Sequence, residues 1–216
     1  APSVRAEMVR SKCINTVYAM EELMKEDATF PVLACQMFTH LTESKVINEN
    51  LGSNGIFTFL LDVLNHHVDT PEVLCEAMKL LQQQSHATDK NHKKAATKEM
   101  VQVLCQIILK PDHANSLLAA EIVADLLTWK KALGADLTQE ELHELCQHLV
   151  PCVENASAVP MCVDFLKAIG TRCSPSIESF LLLLFALMEC PSLDDASQLL
   201  ILEVLLSIIY NDMYGQ

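Results

Sequence analysis

The sequence predicts an all-α fold, on three observations. Aromatic residues make up only 5% of the 216-residue chain, with one tryptophan, and glycines number five. A β-sandwich or barrel wants more aromatic and β-branched residues and more turn glycines. Leu, Ala, Met, Glu, Lys and Gln dominate instead, and these are helix formers. Apolar residues also recur at helical spacing along most of the chain.

In chain order, the first helix is expected over about 3–26, with Val4, Met8, Ile14, Val17, Tyr18 and Leu23 on its apolar side. A second covers about 30–42. The third, "SNGIFTFLLDVLNHH" (53–67), starts after Gly52. The fourth, "TPEVLCEAMKLLQQQS" (70–85), has Thr70 as N-cap and Pro71 at the first helical position, where a missing N–H costs nothing. The fifth, about 93–110, carries Met100, Val103, Leu104, Ile107 and Ile108 as one stripe. The sixth runs about 112–133 and stops at Gly134. Thr138 and Glu141 form a capping box for the seventh, striped by Leu142, Leu145, Cys146 and Leu149. The eighth, about 157–169, stops at Gly170. Ser174 caps the ninth, which runs to about 189. A second capping box, Ser192 to Asp195, opens the tenth, which runs to about 211.

Ten helices with short connections make five hairpins of roughly 40 residues, the period of a helical-repeat array rather than of a globin or four-helix bundle. Pro31, Pro71 and Pro111 share that spacing and each opens a second helix. Pro151 and Pro191 continue the count but not the role: one falls near a helix end, the other just before a cap. The expectation is one domain over 1–216, a right-handed α-solenoid of about five hairpins, cut from a longer protein because the chain opens on Ala1 without a Met.

Residues 47–85 resemble one armadillo repeat. Gly55-Ile56 match its entry, Leu60-Leu61-Asp62-Val63-Leu64 its Leu-rich helix, Asp69 its acidic turn, and Glu72-Val73, Ala77 and Leu81 its last helix, with one extra residue after Ile56. The other units match in period and polarity and fit HEAT repeats as well. The resemblance implies a wall of second helices along which a partner peptide or helix lies. The wall positions are then Thr39 and Glu43 in the first unit and Lys79 and Gln83 in the second. Nuclear-import armadillo proteins hold basic peptides with a Trp and an Asn one turn apart. By register those positions are Lys79 and Gln83, and Trp129 has Leu133 four residues on, so that role is not expected.

Charge narrows the partners further. Fifteen basic residues face 28 acidic ones, a net charge of −13. That field repels a phosphate backbone, so general nucleic-acid binding is not expected. The one basic cluster, "DKNHKKAATK" (89–98), reads as a solvated loop and first helical turn. Nine cysteines, without a CxxC, sit mostly inside apolar helical patterns, which suits a reducing compartment, cytoplasm or nucleus. The apolar run "SFLLLLFALM" is too short to cross a bilayer.

No enzyme chemistry is expected, and no metal or cofactor. "HELCQH" (143–148) places its second histidine at i+5, about 140° round the helix, where an HExxH site needs i+4. His66-His67 ends a helix, where imidazole suits the dipole. Cys173 beside Arg172 reads as an ordinary thiol. No Gly-rich phosphate loop or Gly-x-Ser-x-Gly elbow occurs.

The last 37 residues break the pattern. "FLLLLFALM" and "LLILEVLLSIIY" are apolar nearly all round, although a terminal repeat should turn a polar face outward. Leu200, Leu202, Val204, Leu206 and Ile208 read as one set, and Leu199, Ile201, Leu205 and Ile209 as another. The expected functions follow. The first is a non-enzymatic scaffold that binds a protein partner. The alternatives are an assembly domain that docks or self-associates through the C-terminal helices, with Leu202 and Leu206 in the contact, and a helical regulatory region of a larger enzyme.

Overall fold

Three of the described helices open on a short side chain that accepts an otherwise free N–H of the first turn. In the computed structural model, which describes residues 13–24, 27–42, 45–110, 113–128, 139–169 and 178–214, every described element is helical and no strand occurs among them. The α-helices are α1 (Cys13–Leu23), α2 (Thr29–Leu41), α3 (Lys45–Ser53), α4 (Ile56–His66), α5 (Pro71–Ala87), α6 (Asp89–Ala95), α7 (Lys98–Ile108), α8 (His113–Thr128), α9 (Gln139–Cys152), α10 (Val159–Ile169), α11 (Glu178–Met188) and α12 (Asp195–Tyr214). A 3-10 turn, Ala156–Ala158, precedes α10.

The caps are identifiable atom by atom. Before α2, Asp27 Oδ1 accepts from the Thr29 N–H at 2.9 Å, while the N-cap residue Ala28 has no polar side chain to cap with. Thr88 Oγ1 accepts from Asn91 N–H at 3.1 Å and opens α6. Thr97 Oγ1 accepts from Met100 N–H at 3.2 Å and opens α7. Asp194 Oδ1 accepts from Ser197 N–H at 2.7 Å and opens α12. The cap of α12 is therefore Asp194, not Ser192, because a carboxylate one residue before the helix reaches the second or third N–H directly. Thr70 does take the N-cap place of α5 in extended conformation, with Pro71 following, but its hydroxyl makes no cap bond.

Two helices go beyond the sequence reading. The stretch 45–53 is a helix, and Gly52 lies inside it; the turn before α4 is made by Gly55, at φ +95° in the left-handed region that glycine enters freely. The basic stretch 89–98 is not a solvated loop. It forms α6, which buries Asn91, His92 and Ala95, and then breaks at Ala96–Thr97 before α7. The expected caps and stops at Thr138, Gly134, Gly170 and Ser174 lie outside the described residues, as do Pro111, Trp129 and Cys173.

By contact the chain divides into two units, Ala1–Val103 and Leu104–Gln216, with the boundary inside α7. In the first unit α2 packs along α5 and α3 along α6, while α3, α4 and α5 pack on one another. Tyr18 on α1 donates to Asp62 Oδ2 on α4, and Glu21 Oε1 on α1 lies 3.4 Å from His66 Nδ1 on α4. Partners there are 44 and 45 residues apart, one hairpin length. The core holds Phe38 edge-on to Phe59, ring centroids 5.7 Å apart, with Leu51, Ile56, Leu60, Met78 and Leu81. In the second unit α8 packs along α10, α9 along α11 and α10 along α12. Its core holds Phe165, Phe180, Leu166, Leu183 and Leu184.

Ala77 is fully buried on α5, the helix that meets α2, α3, α4 and α6. A larger side chain there has no free volume to enter. Ala77→Leu should cost about 1–3 kcal/mol through overpacking, measured by urea unfolding. Unchanged stability would mean that the helices do not close on this position.

Candidate partner-binding surfaces

Of the expected wall positions, Thr39 falls on α2 and Lys79 and Gln83 on α5, helices that pack along each other. Lys79 is exposed, and its Nζ donates to Glu76 Oε1 at 3.0 Å. That carboxylate raises the lysine pKa above its ordinary value, with the Cys75 thiol adding to the effect. Gln83 is exposed one turn further on. Thr39 is half-buried, and its carbonyl accepts from the Thr42 hydroxyl at 2.6 Å. Glu43 lies outside the described residues. The structure thus places Lys79 and Gln83 on an open face, with Thr39 on the helix alongside.

Beneath that face, burial pushes the Cys35 thiol up to about 12 from an ordinary 9.0, and the Glu76 charge adds to it. A folded pKa above the unfolded one means that the native state holds the proton. The resulting stability is fully present below pH 9 and is lost as pH rises towards 12. The urea midpoint should therefore fall between pH 9 and 12, and fall less steeply in Cys35→Ala. Equal slopes in the two proteins would contradict this burial.

In the second unit histidine, serine and cysteine side chains hydrogen-bond one another and the backbone. Ser179 Oγ lies 2.9 Å from His143 Nδ1, which on distance alone suggests an activated serine. The proton assignment argues otherwise. Gln147 Nε2 donates to His143 Nε2 at 3.1 Å, so the imidazole proton sits on Nδ1 and is donated to Ser179 Oγ. The serine hydroxyl in turn donates to the His143 carbonyl at 3.0 Å. No lone pair of the ring faces the hydroxyl, and Ser179 is buried. His143 and His148 are each half-buried on α9. Cys105, Cys146, Cys152 and Cys162 are buried thiols; Cys152 Sγ donates to the His148 carbonyl at 3.3 Å and Cys162 Sγ to the Leu149 carbonyl at 3.9 Å. The Cys105 thiol hydrogen-bonds Cys152 and lowers its pKa, while the same bond and burial raise that of Cys105. Among the described residues no group of three or more His, Cys, Asp or Glu side chains could hold a metal ion. No described helix is long and apolar enough to cross a membrane.

What the second unit does offer is apolar surface. On α12, Leu199, Leu202, Leu206 and Ile209 are each between 45% and 65% exposed, whereas Ile201, Val204 and Ile208 are at most 7% exposed. The helix turns 100° per residue, so positions 199, 202, 206 and 209 form one stripe, nearly opposite the buried 201, 204 and 208. This corrects the grouping by alternate residues, which mixed Leu202 with Val204 and Leu199 with Ile201. A period of two belongs to a strand. Leu202 and Leu206 do stand on the open stripe, and Tyr210 extends it. On α11, packed against α12, Leu182, Phe185 and Met188 are exposed as well. The sequence reading singled out the end of the chain but missed the α11 residues by name.

A cavity of about 550 Å³ adjoins the ends of α9 and α11. Val150, Pro151, Val153 and Ala186 form its apolar wall, and Glu154 and Glu189 bring carboxylates to it. No family model matches the chain, and no curated protein matches it in sequence.

Proposed function

We propose that this chain is a non-enzymatic interaction scaffold, built as a right-handed α-solenoid of about five armadillo/HEAT-like hairpins. Like helices stacked one hairpin apart within each unit support the solenoid: α2 on α5, α3 on α6, α8 on α10, α9 on α11 and α10 on α12. The triplet α3–α4–α5, with a short first helix, has the three-helix division of an armadillo unit over residues 45–87. The observation that carries the function is the open apolar stripe of α12 beside the exposed apolar residues of α11. Contiguous exposed apolar surface on a soluble monomer commonly marks an interaction site. Each leucine fully covered there is worth about 1.5–3 kcal/mol, so a few suffice to hold a partner. The α2–α5 face with Lys79 and Gln83 is a second, more polar contact surface in this reading. Seven described cysteines are free thiols, which supports a reducing compartment, cytoplasm or nucleus.

Affinity capture with the purified chain, followed by light scattering of the chain alone, tests the reading. A monomer that captures a stoichiometric protein partner is the expected result. A chain that only self-associates would make it an assembly domain, and a captured partner whose turnover changes would make it a regulatory region. Failure to engage any protein, itself included, would end the scaffold reading.

A further inference from the structure

Charge around the apolar surface restricts what covers it. No lysine, arginine or histidine follows Arg172, while Glu178, Glu189, Asp194, Asp195, Glu203 and Asp212 all lie in that stretch. Glu178, Glu189, Asp194, Asp195 and Glu203 are exposed, and Glu203 stands at the edge of the α12 stripe itself. We propose that the α11–α12 surface receives an amphipathic helix of a partner protein, with apolar residues at alternating three- and four-residue spacing and lysine or arginine on its flanks. The inference rests on the interaction reading above and adds the chemistry of the partner.

Two features carry it. The intervals from Leu199 to Leu202, Leu206 and Ile209 are three, four and three residues. That is the seam which packs against a second helix with the same spacing. Every charged residue of α11, α12 and the segment between them is acidic, so a basic flank gains attraction from these helices, whereas a second copy docking through the same stripe brings Glu203 and its neighbours against like charges. The anionic surface of a bilayer is repelled for the same reason. Glu154 and Glu189 at the neighbouring cavity give a long basic side chain apolar walls for its stem and carboxylates for its head.

The probe is a fluorescein-labelled synthetic helix of about 18 residues, five turns, with leucine at three–four spacing and lysine on the flanks. Its binding is read by fluorescence anisotropy. Two companions share its length: one has glutamate for every lysine, and one has the same composition with the leucine register scrambled. The lysine peptide should bind the purified chain and weaken as salt rises from about 0.05 to 0.5 M. The two companions should bind at least about tenfold more weakly. Leu202→Glu/Leu206→Glu should lose the lysine peptide although it adds two negative charges, which would only strengthen unspecific attraction. Equal binding of the scrambled peptide, or undiminished binding to the double variant, would overturn the proposal. A dimer that the double variant dissociates would show that a second copy occupies the face, which overturns the basic helix and leaves the interaction reading standing. A captured protein that is lost with the double variant, while no peptide binds, has the same meaning. If the double variant fails to fold, the stripe is core and both readings fall together.

Discussion

Replacing Leu202 and Leu206 together by glutamate is expected to leave the protein folded and to weaken partner binding by about a hundredfold or more. Both side chains are at least 45% exposed, so the folded state loses little packing. Exposed substitutions usually move stability by no more than about 0.5 kcal/mol each. In a complex the same positions would be covered, and truncating a covered anchor typically costs about 2 kcal/mol or more, to which an unpaired buried carboxylate adds. A factor of a hundred corresponds to about 2.8 kcal/mol, within reach of two such sites. Thermal melts by circular dichroism, paired with titration of the captured partner, separate the two effects. Leu183→Glu is the matched control: Leu183 is fully buried on α11, and that change should unfold the second unit.

Gly52→Ala should be among the most damaging single changes in the first unit. A Cβ at position 52 would lie 2.0 Å from Asn91 Oδ1, 2.6 Å from its Cγ and 2.8 Å from its Nδ2. Asn91 cannot simply withdraw. It is buried, and its Nδ2 donates to the Asn48 carbonyl at 2.9 Å and approaches Gln84 Oε1 at 3.5 Å. Gln84 in turn donates to Asn48 Oδ1 at 3.2 Å, and the Lys94 ammonium donates to the Gly52 carbonyl at 2.7 Å. One methyl group thus forces a choice between overlap and breaking buried hydrogen bonds. Overpacking costs about 1–3 kcal/mol and an orphaned buried polar group about as much again. A loss of at least about 3 kcal/mol is expected in urea unfolding. Asn91→Ala in the same chain should recover part of it, because it removes the obstacle, and a double-mutant cycle should show that coupling. Additive losses at the two positions would contradict the close approach of α3 and α6.

The contrast between these two sites shows what the sequence could reveal. The long helices were legible because their buried faces are apolar: Val73, Leu74, Ala77, Met78 and Leu81 on α5 repeat at helical spacing. The short helices α3 and α6 were not, because much of what they bury is polar or without a side chain. Gly52, Asn91 and His92 carry no hydrophobic period, and Asn91 is held by Asn48, 43 residues away, against Gly52. A basic stretch such as 89–98 then looks like a solvated loop. At the far end the difficulty is the reverse. Both sides of α12 are apolar, so composition marks the helix as unusual without telling which stripe faces α11 and α10. Only packing sorts Ile201, Val204 and Ile208 inward and Leu199, Leu202, Leu206 and Ile209 outward. Lys79 and Gln83, the wall positions implied by the resemblance of residues 47–85, are exposed on α5, but exposure alone does not mark a polar residue as a contact.

Photo-crosslinking inside cells shows whether a protein covers the α12 stripe. Benzoylphenylalanine is placed at position 206 on the α12 stripe and, as a control, at position 114, which is exposed on α8. A discrete protein adduct is expected from 206 upon irradiation and none from 114. No adduct at 206, or the same diffuse products from both positions, would contradict that expectation.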